Sequence, residues 1–363
     1  MREMSVDYSR TPLLVIWEVT RACALACRHC RASAEDLRHP NELSTDEGRR
    51  LIDDVAEMGT PLIVFTGGDP LQRDDLEQLI RHACDRGLHP ATIPASTERL
   101  TRERVFSLKN SGCAQMALSL DGPDASRHDD FRKVPGSFER VMEGCRWAHE
   151  AGIPLQINSV FGAWNADTFH EMAALVESLD IVFWEVFFLV PTGRGALLQS
   201  CSALQMKALF EELYALSLRV PFVVKLTEGQ HYRAFLAQKL ERQADLPAEE
   251  QAYIRRFLGR DPVNAGRGFC FVDHVGEVYP SGFLPEACGN VRHRSVTSIY
   301  REHPVFVELR DASRLKGACG TCRYRDLCSG GSRSRAAAAN GDYLAEEPYC
   351  FLAAEAALAA GVE

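Results

Sequence analysis

LLVIWEVTRACALACRHC, residues 13–30, joins an apolar run to a loop carrying three cysteines, Cys23, Cys27 and Cys30. Residues 13–19 read as a buried strand, being β-branched and aromatic. In an α/β barrel the loops beyond the strands' C-terminal ends form the active face, so thiols directly after a first strand stand where chemistry is expected. Thiolates are soft ligands for iron–sulfur clusters, and three thiolates can wrap one cubane while leaving its fourth iron open. A zinc site or three ordinary thiols also fits this spacing.

Beyond this stretch, short β-rich runs alternate with helical patterns up to residue 190. PLIVF (61–65), LHPATIP (88–94), CAQMALSL (113–120), IPLQINSVF (153–161) and IVFWEVFFLV (181–190) are the further strand candidates. Helices are expected over 45–58, 72–86, 101–110, 135–150 and 166–178, the first opened by Thr45 with Asp46 and Glu47 in its first turn. Gly87, Gly112 and Gly152 each close a helix where a positive φ is wanted. Such βα repeats imply a parallel sheet covered by helices. A helix over 203–219, an apolar run VPFVVKL (220–226) and a polar helical stretch over 230–258 follow. From about 261 the chain turns rich in Gly, Cys and Arg, as in a small domain tied by metal, and AAEAALAA (353–360) is helical by propensity.

The 363 residues are 46% hydrophobic and 25% charged, which suits a folded chain of two or three domains. Against 41 basic residues stand 50 acidic ones, a net charge of −9, which disfavours nucleic acid or an anionic membrane as a partner. No apolar run reaches the roughly 20 residues of a membrane span, so a cytoplasmic protein acting on a small molecule is expected. Thirteen cysteines in such a chain point to metal binding rather than disulfides.

The motif Cys-x3-Cys-x2-Cys after a first strand, with His29 before the last cysteine, resembles the signature of the radical S-adenosylmethionine (radical SAM) superfamily. ThrGlyGlyAspPro (66–70) after the second strand and SerLeuAspGly (119–122) ending the fourth are similar to further motifs of that family. The resemblance implies a partial (β/α)6 barrel within residues 1–226, a helical connection over 227–261 and an iron–sulfur domain over 262–363. It also implies that Cys23, Cys27 and Cys30 bind a [4Fe–4S] cluster that chelates SAM and cleaves it to a 5′-deoxyadenosyl radical. Thr66, Gly67, Gly68, Asp69, Ser96, Ser119, Asp121, Arg132 and Asn158 are the residues placed to hold SAM. The backbone at Gly67 and Gly68 approaches the ligand, Asp69 meets its amine, Ser119 and Asp121 its ribose, and Arg132 its carboxylate. A flavodoxin or ferredoxin would supply the electron.

Cys319, Cys322, Cys328 and Cys350 supply four thiolates, enough to close a second cubane completely. Their surroundings resemble the auxiliary-cluster region of SPASM-type radical SAM enzymes, and more closely the branch containing the haem-d1 and alternative-haem enzymes; a zinc ribbon is the other reading. Full SPASM domains hold another auxiliary cluster, but Ser332 stands where a cysteine is expected. One auxiliary [4Fe–4S] cluster is therefore expected, with Cys270 and Cys288 as core thiols and Cys84, Cys113, Cys145 and Cys201 as buried small hydrophobes.

Glu185 interrupts the apolar sixth strand. A buried carboxylate there is either paired or retained for function with a raised pKa, making it a candidate acid–base group. One such carboxylate would suffice for redox-neutral dehydration of a 1,2-diol, and the chain resembles the cytosylglucuronic acid enzyme of blasticidin S biosynthesis. Arg194, Lys225 and His231 would then bind a uronate carboxylate. The alternatives are oxidative decarboxylation of a porphyrin propionate, modification of a ribosomal peptide, or a non-catalytic cluster protein.

Overall fold

The computed structural model describes residues 7–242 and 245–359. Residues 243–244 of the expected 230–258 helix and residue 360 of the C-terminal one lie outside the described residues. The strands are β1 (Leu14–Glu18), β2 (Leu62–Thr66), β3 (His89–Thr92), β4 (Gln115–Ser119), β5 (Leu155–Phe161), β6 (Phe183–Phe188), β7 (Val223–Thr227), β8 (Phe269–Val272) and β9 (Val278–Tyr279). They form one sheet in the order β7-β6-β5-β4-β3-β2-β1-β8-β9. Every pair from β7 to β8 is parallel, and only β9 runs antiparallel to its neighbour. The result is an α/β half-barrel of curled parallel strands.

All six expected strands are present. The sheet extends further at both ends: VPFVVKL contributes β7 beside β6, and β8, from the C-terminal part of the chain, lies along β1. An uncovered β1 would present a row of unpaired backbone groups, and β8 satisfies them.

Among the described residues nine helices cover or follow the strands up to residue 258: α1 (Thr45–Glu57), α2 (Leu76–Asp85), α3 (Arg102–Asn110), α4 (Ala125–Arg132), α5 (Ser137–Ala151), α6 (Phe169–Glu177), α7 (Ala203–Ser217), α8 (Tyr232–Arg242) and α9 (Ala248–Leu258). α1 opens with a capping box, Ser44 and Glu47 each meeting the other's backbone. Gly87, Gly112 and Gly152 have φ of 81°, 95° and 66°, as their positions require. The 230–258 stretch is two helices, α9 following Pro247. Further on come only short helices, among them Arg325–Cys328, Arg333–Asn340 and Phe351–Ala359.

Side chains alternate between the faces of the sheet. On β1, β2 and β6 the outward residues Val15, Trp17, Ile63, Phe65, Trp184, Val186 and Phe188 are buried under helices, each large side chain worth roughly 1.5–3 kcal/mol. Their inward neighbours Leu14, Ile16, Leu62, Val64, Phe183 and Phe187 are only partly buried. The concave face is therefore open.

Candidate active site

The cysteine loop folds against the C-terminal edge of this concave face. Cys23 and Cys27 are buried, while the intervening Ala24 and Ala26 are exposed. Each of the three sulfurs accepts one hydrogen bond: Cys23 from the Leu25 amide at 3.4 Å, Cys27 from Arg132 Nη1 at 3.5 Å and Cys30 from the Ala34 amide at 3.4 Å. As a free thiol Cys23 is pushed up to about 12 by burial, with Asp69 and the other two cysteines adding to the effect. Neutral thiols match these donors poorly, whereas metal-bound thiolates match them well. Among the described residues no three His, Cys, Asp or Glu side chains converge as a single metal ion requires. A cubane, in which each thiolate takes its own iron, asks for wider spacing.

Two backbone segments clasp the loop. A Cβ on Gly67 would lie 2.5 Å from the Thr20 carbonyl, and one on Gly68 would lie 2.5 Å from those of Arg21 and Ala22. The Gly68 amide bonds Thr20 O at 2.8 Å and the Asp69 amide bonds Ala22 O at 2.7 Å. Glycine is thus required at 67 and 68 for contact with the cysteine loop, a constraint beyond the expected approach to a ligand. From the other side the Arg194 amide bonds Cys30 O at 3.0 Å, and its Nε bonds Cys27 O at 2.9 Å. Arg194 braces the cysteine loop through its amide, Nε and Nη1, while its buried Nη2 has no partner among the described residues.

Thr66, Ser119 and Asn158 end or line neighbouring strands on the concave side, Ser119 opposite Asn158 in register. Asp121 is buried, accepting from the Val160 amide at 2.8 Å and from Arg132. Burial works to raise the Asp121 carboxyl, but the Arg132 guanidinium prevails and holds it below the usual range. Arg132 therefore bridges Asp121 and Cys27. Asp69 is fully buried and ties two loops together, accepting from the Leu71 and Ala95 amides and from Thr97 Oγ1 at 2.6 Å. Ser96 bonds Ser137 at 2.7 Å, which meets His128, which accepts the Asp121 amide. His29 stacks on Phe131 at 4.8 Å and Phe131 on Trp164 at 5.2 Å.

Residues 17–176 match the Radical SAM superfamily. Over 95% of its length the chain is 40% identical to the AdoMet-dependent heme synthase of Nitratidesulfovibrio vulgaris, covering 93% of that protein. The chain belongs to the radical SAM superfamily. It is also 36% identical to the AdoMet-dependent heme synthase of Methanosarcina barkeri, over 95% of this chain and 98% of that one. In fold it resembles Streptococcus suis SuiB, solved with S-adenosylmethionine, at a TM-score of 0.71 and 17% identity over 94% of this chain and 77% of that chain.

Deeper in this radical SAM barrel, Glu185 does face the concave side. In register it lies between Asn158 on β5 and Lys225 on β7. Its carboxylate accepts from Lys225 Nζ at 2.7 Å, from Gln156 Nε2 at 2.9 Å and from Thr227. Burial pushes its pKa up, yet Lys225 and these donors outweigh burial and hold it below the carboxylate norm. Glu185 is thus a paired group with a lowered pKa, where an acid–base role was expected to go with a raised one. Gln115 and Gln156 extend the network, and sequence reasoning passed over them, although Gln156 and Asn158 alternate on one face of an apolar strand, a period-two signal. The Lys225 side chain is 43% exposed. His231 is corrected too: it is 1% exposed and packed against Phe210 at 4.8 Å, with both ring nitrogens unpartnered, so it belongs to the core.

Near the C-terminus the same sulfur pattern recurs. Cys319, Cys322 and Cys328 accept from the amides of Glu347, Tyr324 and Gly331 at 3.4, 3.4 and 3.2 Å. Burial raises the Cys328 thiol, and Cys350 and Cys319 add to it; Cys350 is pushed up to about 11 by burial. Four neighbouring thiols, three of them with backbone donors, fit a closed cluster site. Ser332, at the position of the missing cysteine, instead caps the helix Arg333–Asn340 and bonds Glu228. Cys270 lies in the core and Cys288 is buried.

Proposed function

We propose that this radical SAM enzyme oxidatively decarboxylates propionate side chains of a porphyrin-type substrate. The observation that carries the reading is the likeness to AdoMet-dependent heme synthases over nearly the whole chain, 40% and 36% identical. Two features of the barrel support it over dehydration of a sugar-acid nucleoside. Glu185 is engaged by three donors and held below the usual carboxylate range, so it carries no proton with which to expel hydroxide. Phe183 and Phe187 line the open concave face, with Phe283 6.5 Å from Phe187, suiting a broad aromatic ligand.

Cys23, Cys27 and Cys30 would hold the catalytic cluster and Arg132 would steady the Cys27 thiolate. Bound there with SAM and fed by a flavodoxin or ferredoxin, the cluster supplies the radical that removes a hydrogen atom from substrate. Lys225 is the one Lys or Arg carried by any described strand, and it is placed to hold a propionate carboxylate. Loss of the hydrogen atom, cleavage of the bond to the carboxyl carbon and release of carbon dioxide leave a vinyl group and one electron. Cys319, Cys322, Cys328 and Cys350 would hold the cluster able to take that electron. Mass spectrometry of the reduced enzyme with SAM, offered an iron porphyrin propionate or cytosylglucuronic acid, tests the reading. Loss of carbon dioxide from the porphyrin is expected; loss of water from the nucleoside with an unchanged porphyrin would overturn it.

A further inference from the structure

Arg333 is 1% exposed, and a guanidinium cannot shed its proton. Its Nη1 bonds the carbonyls of Tyr343 at 2.9 Å and Ala345 at 2.6 Å, but among the described residues Nε and Nη2 have no partner. The nearby buried carboxylate, Glu347, is taken by Arg335, whose Nε and Nη2 grip it at 2.9 and 3.0 Å. The Arg333 charge is thus buried without a counter-charge, an arrangement costing several kcal/mol unless an anion answers it. Its location indicates which anion. A Cβ on Gly330 would lie 2.8 Å from the Arg333 guanidinium carbon, and the Gly330 carbonyl meets Cys319 Sγ at 3.7 Å. Burial works against the Arg333 charge, while Cys319, Glu347 and Cys328 favour it.

We infer that Arg333 is the counter-charge of an anionic cluster held by Cys319, Cys322, Cys328 and Cys350, and that its positive charge makes this cluster easier to reduce. Cluster potentials follow net charge and hydrogen bonding around the sulfurs, so a buried cation beside them shifts the site toward accepting electrons. The inference rests on reading those four cysteines as a cluster site.

The test uses the full chain with Cys23, Cys27 and Cys30 replaced by Ala, reconstituted anaerobically with iron and sulfide, so that only the C-terminal site is loaded. An EPR-monitored redox titration should show Arg333→Gln moving the potential to more negative values, with Arg333→Lys shifting it less. An unchanged potential in Arg333→Gln with cluster content intact would overturn the inference while leaving the cluster reading in place. Absence of any cluster in the parent would overturn both. Thermal melting gives a second readout, because the Arg333 charge is unanswered until the site is loaded. Arg333→Gln should lower the melting temperature of the loaded protein more than that of the cluster-free protein. Equal losses in the two forms, or a cluster-free variant that does not fold, would make Arg333 a brace for residues 343–345 alone.

Discussion

Arg132 carries two tasks with one guanidinium, neutralising Asp121 and donating to Cys27, and both are buried. Arg132→Met should therefore cost about 3–5 kcal/mol in denaturant unfolding, because Asp121 is left as an unpaired buried charge. It should also reduce iron retained after desalting; wild-type stability in this variant would disprove the pairing. His231 makes a pH prediction. Burial depresses it to about 4, so below its ordinary value of 6.5 the unfolded chain takes up a proton that the folded chain refuses. Stability contributed by the neutral ring is complete above about pH 7 and falls as pH drops toward 4, by about 2 kcal/mol at pH 5. Unfolding at pH 7 and pH 5 should show a smaller acid loss in His231→Leu than in wild type, and identical losses would place His231 outside the core.

At the scale of elements, the cysteine loop is held by its neighbours' backbones rather than by its own length. Gly68→Ala would force the loop away from the carbonyls of Arg21 and Ala22, now 2.5 Å from where the new carbon would stand. Iron binding at Cys23, Cys27 and Cys30 should then fall severalfold while helical content by circular dichroism stays near wild type; full iron loading would refute the clasp. These loops also mark how far the sequence could be read. The βα alternation was legible because apolar runs and glycine terminators recur at local spacing. α4 was not, since two of its three buried residues, His128 and Arg132, are polar and its pattern shows no apolar stripe. The cysteine sets were legible as groups because most of their members lie within a few residues of one another. The contacts of Arg194, Glu185 and His231 were not, because their partners lie far off in sequence: Cys27 for Arg194, Lys225 for Glu185 and Phe351 for His231.

Across the whole molecule, the boundary expected near residue 262 follows a change of composition but not a break in structure. β8 lies beyond it yet pairs with β1 through four residues, Phe269 to Val272, inside the barrel's own sheet. Tyr300, Phe306 and Phe351 are fully buried in the same apolar core as Val15, Trp17 and Phe210. The Tyr300 hydroxyl reaches back to the carbonyl of Tyr8 at 2.6 Å, and Arg292 to Glu47 at 2.7 Å. Truncation after residue 261 would uncover the β1 edge next to the cysteine loop and remove three large aromatic side chains, each worth about 3–5 kcal/mol when lost from a core. That sum exceeds the 5–15 kcal/mol by which most domains are stable at its lower end and rivals it at its upper. The 1–261 fragment should therefore be aggregated or unfolded, and the intact chain should melt in one cooperative calorimetric transition. A soluble fragment that binds iron through Cys23, Cys27 and Cys30 and melts as sharply as the full chain would show that the barrel stands alone. β8 would then be an accessory to a sheet already complete at β1.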